Sequence, residues 1–172
     1  MNHESLIARM AAFPAALRAA VSVVNAVDAT FKPAPEHWSI LEICCHLLDE
    51  EREDFGVRVR STLEDPKRAW LDLNHDQIAE RRGYNTRELA PILDEFTSER
   101  AKSVAWLRGL VKPDWSKTYE HPTFGPLRAG DLMASWAAHD ALHLRQIAKR
   151  IFNLTQRDAP GFHLSYAGDW SA

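Results

Sequence analysis

The sequence predicts an all-α domain, most simply a four-helix bundle. Apolar residues recur at intervals of three and four in four long stretches, and a capping box opens the second of them. No stretch shows the sustained alternation of a half-buried strand. The 172 residues suit a single domain spanning 1–172, large enough to bury a core without disulfide or metal support.

The first helix is expected over about residues 4–27, where Leu6, Met10, Phe13, Leu17, Val21 and Val24 share a face. Pro14 removes a backbone donor inside it and predicts a kink or a division. The second, about 39–61, begins at Ser39-Ile40-Leu41-Glu42, in which the Ser39 and Glu42 side chains each satisfy an orphan backbone N–H. Trp38 stands where it can staple onto Ile43. The third runs over about 86–110, with Leu89, Ile92, Leu93, Phe96 and Leu107 inward, and ends near Gly109 and Pro113. The fourth covers about 129–152, and its stripe of Leu132, Met133, Trp136, Ile147 and Ile151 also contains His139 and His143.

Connections are unequal. Residues 62–84 form a long link between the second and third helices, with Trp70, a short helix expected at about 75–81, and the pair Arg81-Arg82. A link of that length can cross the bundle and leave helices two and three parallel. Residues 112–128 include HPTFGPL, whose prolines and glycine predict a compact loop. The aromatic residues Phe162, Tyr166 and Trp170 predict that the C-terminal tail docks rather than hangs free.

A net charge of −3 with interspersed signs offers no basic stripe for nucleic acid or an anionic membrane. Residues 11–27 have the small apolar content of a signal peptide, but Arg18 and Asn25 interrupt them. No apolar run reaches the roughly 18 residues a membrane span needs. The only cysteines, Cys44 and Cys45, are adjacent in a helical pattern and are expected as packed, inert thiols, which suits a reducing cytoplasm.

The chemistry resides in histidines. His139 and His143 are four apart in the run HDALH, so both imidazoles lie on one helix face, and His46 on the second helix can supply a third ligand. Three nitrogen ligands hold a transition ion such as Zn²⁺ or Ni²⁺ and leave positions open for substrate. His3, His37, His75, His121 and His163 share no helix face with a second histidine and are read as surface or loop residues. Glu50, one turn after His46, and Gln146, three residues after His143, are candidate partners for ligands. Arg100 reads as a buried-stem arginine paired with a helix carboxylate. A metalloprotease is disfavoured because Asp140 stands where HExxH has its glutamate base, and a di-iron centre because no Glu-x-x-His pair is present.

HWSILEICCHLLDEE, HDALHLRQI and HPTFGPL together resemble the second-helix, fourth-helix and loop motifs of the DinB-like superfamily, particularly its branch related to bacterial thiol-dependent transferases. The resemblance covers most of the chain. The chain departs from the usual fourth-helix start in having Arg128-Ala129-Gly130 where a threonine cap is common. The resemblance implies an up-down-down-up bundle, His46, His139 and His143 as ligands of a divalent nickel or zinc ion, and frequent homodimers. The expected activity is a metal-dependent S-transferase, in which a low-molecular-weight thiol such as bacillithiol or mycothiol attacks a small electrophile. The alternatives are a metal-dependent hydrolase and a non-catalytic, stress-associated metal or ligand binder.

Overall fold

The structure, a computed structural model, describes residues 2–71, 73 and 77–170. Seven α-helices occur among them: α1 His3–Val21, α2 Ala26–Ala29, α3 Ile40–Glu53, α4 Phe55–Glu64, α5 Ile78–Arg81, α6 Leu89–Gly109 and α7 Ala129–Asp158. A two-stranded hairpin, β1 Thr118–His121 and β2 Gly125–Arg128, precedes α7.

Four of the expected boundaries need correction. The first helix stops at Val21 instead of continuing to 27, because the Asn25 side chain accepts the Asp28 N–H and caps a new short helix. Pro14 does not divide α1. The second helix is two pieces, broken at Asp54, whose backbone leaves the helical region (φ −113°, ψ −95°). Immediately beyond, Gly56 lies against Trp136, where an added Cβ would stand 3.0 Å from the indole. The fourth helix continues past 152 to Asp158, carrying Leu154 into the core and Arg157 to Asp28 at 2.7 Å.

The expectation of no strand is also corrected. Four-residue strands are too short for a period of two to stand out, and the segment reads as turn chemistry instead. His121 Nδ1 accepts the N–H groups of Thr123 and Phe124, and Gly125 supplies the positive φ of 70° that closes the hairpin. In the 62–84 link the expected short helix is observed from Ile78, while 75 and 76 lie outside the described residues. The tail docks in part: Trp170 meets Phe152 at 5.5 Å, whereas Phe162 and Tyr166 are exposed.

Contacts between elements fix the topology. Arg18 meets Asp94, Phe13 meets Phe96, and Arg100 meets the Met10 carbonyl, so α1 and α6 are antiparallel. Ser39 meets Asn85, Arg52 meets Glu95, and Arg60 lies over Trp106, so α3–α4 and α6 run the same way. Trp38 meets Arg150, His46 meets His143, and Glu51 meets Trp136, so α3 and α7 are antiparallel. The bundle is therefore up-down-down-up, and the 65–88 link makes the crossover. No helix among the described residues is long and apolar enough to cross a membrane.

Arg100 occupies the middle of this bundle at 2 % exposure. Its Nη1 and Nη2 donate to Asp140 Oδ2 and Oδ1 at 2.6 and 2.9 Å, and its Nε donates to Glu51 Oε2 at 2.9 Å. Nη1 also reaches the Met10 carbonyl at 3.3 Å. That carbonyl is four residues before Pro14, so it is the one the proline leaves without an intrahelical donor. Breaking a buried ion pair by removing one partner strands the other charge. Arg100→Ala is expected to lower the urea-derived stability by about 3–5 kcal/mol; a loss below about 1 kcal/mol, within the range of an exposed pair, would show that the network contributes no more than a surface bridge.

Candidate metal centre

His46 projects from the middle of α3, and His139 and His143 from successive turns of α7, which crosses it antiparallel. Their candidate ligand atoms all lie within 4.8 Å of one another. Ring centroids are separated by 5.3 Å (His46 to His139), 4.8 Å (His46 to His143) and 4.2 Å (His139 to His143). All three side chains converge from the faces expected of them; His3 and His37 are elsewhere, and His75 lies outside the described residues. Phe55, at the start of α4, comes within 5.0 Å of His139, and Trp38 within 4.8 Å of His46, so aromatic rings flank the cluster.

The donor chemistry fits a divalent transition ion. Burial first, then the His143 and Arg100 neighbours, push His139 down to about 3. Burial also lowers His143, partly offset by Gln146. Both rings are thus neutral near pH 7, the form a metal requires. The Gln146 carbonyl oxygen is 2.8 Å from His143 Nδ1, a contact that is a hydrogen bond when Nδ1 carries the proton and Nε2 keeps its lone pair. His139 Nε2 lies 2.9 Å from that nitrogen. Two lone pairs so placed repel unless a proton or a cation stands between them. Two nitrogens each about 2.0–2.1 Å from one ion at about 90–110° would be about 2.8–3.4 Å apart, which brackets the observed separation.

Glu50 Oε1 lies 3.7 Å from His46 Nδ1, on the face that the i,i+4 spacing predicted. Burial, then the Asp54 carboxylate, raise its carboxyl to about 8. Burial raises the Cys45 thiol to about 12 and drives Cys44 higher still, so neither is a nucleophile at neutral pH. Asp140 turns away from the histidines toward Arg100, so HDALH places no base where a protease needs one.

His139 and His143 open onto a cleft of about 990 Å³ whose wall includes Arg145, Lys149, Arg150, Asp169 and Trp170. Arg82, of the Arg81-Arg82 pair, lies elsewhere. Arg82 is committed to Asp49 at 2.5 Å and to Glu53 at 2.7 Å on the acidic side of α3, and the Tyr84 hydroxyl donates to the same Asp49. Helical periodicity could have found part of the cleft wall, because 139, 142, 143, 146, 149 and 150 follow one helix stripe.

A mostly helical bundle with three convergent imidazoles, two of them lining an open cleft, has the architecture of a metal-binding helical protein. The chain belongs to the DinB superfamily, whose sequence pattern matches residues 9–147. Among solved structures it is similar to YfiT from Bacillus subtilis, described as "a probable metal-dependent hydrolase with an unusual four-helix bundle topology". The two share 18% sequence identity and superpose with a TM-score of 0.79 over 89% of this chain and 87% of that one, a likeness that establishes the shared fold. No curated protein matches the chain.

The depressed His139 makes the metal-free protein sensitive to acid. An unfolded imidazole takes its proton below about 6.5, whereas folded His139 resists to about 3. The folded pKa is the lower one, so the stability it contributes is present above about 6.5 and is lost as pH falls toward about 3. Urea titrations of chelated protein should show this decline, and His139→Gln should flatten it; parallel pH profiles for both proteins would refute the assignment.

Proposed function

We propose that His46, His139 and His143 hold one divalent transition ion, and that the protein is a metal-dependent S-transferase using a low-molecular-weight thiol on small electrophiles. The observation that carries this reading is the convergence of three imidazoles, two of them held neutral by burial and lining an open cleft. An ion held there supplies Lewis acidity, lowering the pKa of a coordinated thiol or water toward neutrality.

The chain's own residues supply the remaining parts. Gln146 fixes the His143 ring, and Glu50, mostly protonated at neutral pH, stands 3.7 Å from His46 Nδ1. Arg145 and Lys149 on the cleft wall favour an anionic co-substrate, such as a thiol bearing carboxylates. Trp38 and Phe55 exclude water from one side of the cluster. At about 990 Å³ the cleft has room for a thiol together with an electrophile. That openness disfavours a binder closed to everything but water.

A metal-dependent hydrolase is the second reading. It is favoured by Glu50, a carboxyl beside the cluster that is mostly protonated at neutral pH and becomes available as a base toward water as pH rises toward about 8.

Two measurements test the proposal. Metal analysis should give about one divalent ion per chain, with His46→Ala and His139→Ala each losing it; full retention in either variant would remove the ligand set. Metal-loaded protein should accelerate the attack of small thiols on 1-chloro-2,4-dinitrobenzene, and His46→Ala should not. Thiol-independent cleavage of an ester or amide would transfer the assignment to the hydrolase, and silence in both assays to a binder. The homodimer implied by the family resemblance is expected to sediment as such, and a monomer throughout the micromolar range would exclude it.

A further inference from the structure

A second cleft, of about 510 Å³, lies between α3–α4, α6 and residues 68–71, and it shares no lining residue with the histidine cleft. Three side chains that line it each carry a buried polar atom with no hydrogen-bond partner: Glu51 Oε1, Ser61 Oγ and Trp70 Nε1. Buried polar atoms are paired as a rule, and an unpaired one costs stability. Three of them around one cavity form a pattern that the fold itself does not explain.

Glu51 and Trp70 are held in place by other contacts, and Ser61 by its helix. Glu51 is 5 % exposed, and its second oxygen accepts from both Arg100 Nε and Trp136 Nε1, which fixes the carboxylate. Ser61 is 7 % exposed on α4. The Trp70 ring stacks on Tyr119 at 3.9 Å, and the Arg58 guanidinium lies 4.9 Å from its centroid, so the indole offers its N–H edge rather than an open face.

These atoms define what a ligand must carry. A carboxylate oxygen only accepts, so Glu51 Oε1 calls for a donor; an indole N–H only donates, so Trp70 calls for an acceptor. Ser61 can serve either. The charges around the cleft oppose an ion. Arg58 meets Asp54 at 2.8 Å, Arg52 and Lys102 meet Glu99 at 3.5 and 3.1 Å, and Glu53 meets Arg82. The Arg60 guanidinium is stacked over the Trp106 ring at 4.6 Å. A charged ligand would have to break one of these pairs. We propose that this cleft binds a small uncharged molecule with an N–H donor beside a carbonyl acceptor, the amide and lactam class, and that it does so independently of the histidine cluster.

The test follows the indole N–H resonances of ¹⁵N-labelled full-length protein, with Trp70 assigned by Trp70→Phe. Nicotinamide and 2-pyrrolidinone should shift the Trp70 signal saturably, whereas nicotinate and benzylamine should not. Ser61→Ala should weaken the amides about three- to tenfold, the value of one neutral hydrogen bond, while its melting temperature stays level or rises because a buried unpaired hydroxyl is gone. Amide affinity should be the same in His139→Ala, so failure of the metal proposal leaves this one standing. Absence of a saturable shift with either amide would mean that water alone satisfies the three atoms, and a stronger response to nicotinate or benzylamine would show the wrong ligand class; either result overturns the proposal.

Discussion

The bidentate pairing of Arg100 with Asp140 is the contact around which the rest of the bundle is arranged. It joins α6 to α7, and the same guanidinium engages Glu51 on α3 and the Met10 carbonyl on α1. One side chain therefore touches all four long elements of the bundle. The charge is tolerable only because each of these acceptors is already in place. Pro14 belongs to the same arrangement: a proline inside a helix ordinarily leaves a carbonyl idle, and here that carbonyl meets a donor from across the core.

The same charge reaches the histidines. Asp140 is adjacent in sequence to His139, and Arg100 contributes, after burial and His143, to keeping the His139 ring neutral. Core and candidate site are thus electrostatically linked, although no histidine contacts the guanidinium in the network described. The acidic residues of α3 divide along the same lines. Glu51 faces the core, Glu50 faces His46, and Asp49 and Glu53 face Arg82. A run that reads as a solvated acidic patch is in fact split among three environments.

Much of this was legible in the sequence, for reasons that can be named. Long amphipathic helices announce themselves through periodicity, and the Ser39–Glu42 capping box is present as read, with bonds of 2.7 and 3.1 Å. The i,i+4 rule placed His139 beside His143 and Glu50 beside His46. Arg100 was legible as a buried, paired arginine, though its carboxylate partners come from two other helices and no local pattern names them. What the sequence concealed was short or non-local: the break at Asp54, the four-residue strands, and the commitment of Arg82 to α3. Each depends on tertiary contacts that have no period.

The crossing of α7 over α3 uses two faces of one helix. Trp136 and Asp140 serve the core, while His139, His143 and Gln146 serve the cleft, and the two sets interleave within three turns. Each residue added or lost there would turn everything beyond it by about 100°. A single deletion between 136 and 143 would therefore swing the far histidine off its cluster while also displacing the core contacts on one side of the lesion. Substitutions can alter the two faces separately, but changes of length cannot. This stretch of α7 is accordingly a place where descendants of the sequence can vary in composition while remaining fixed in spacing.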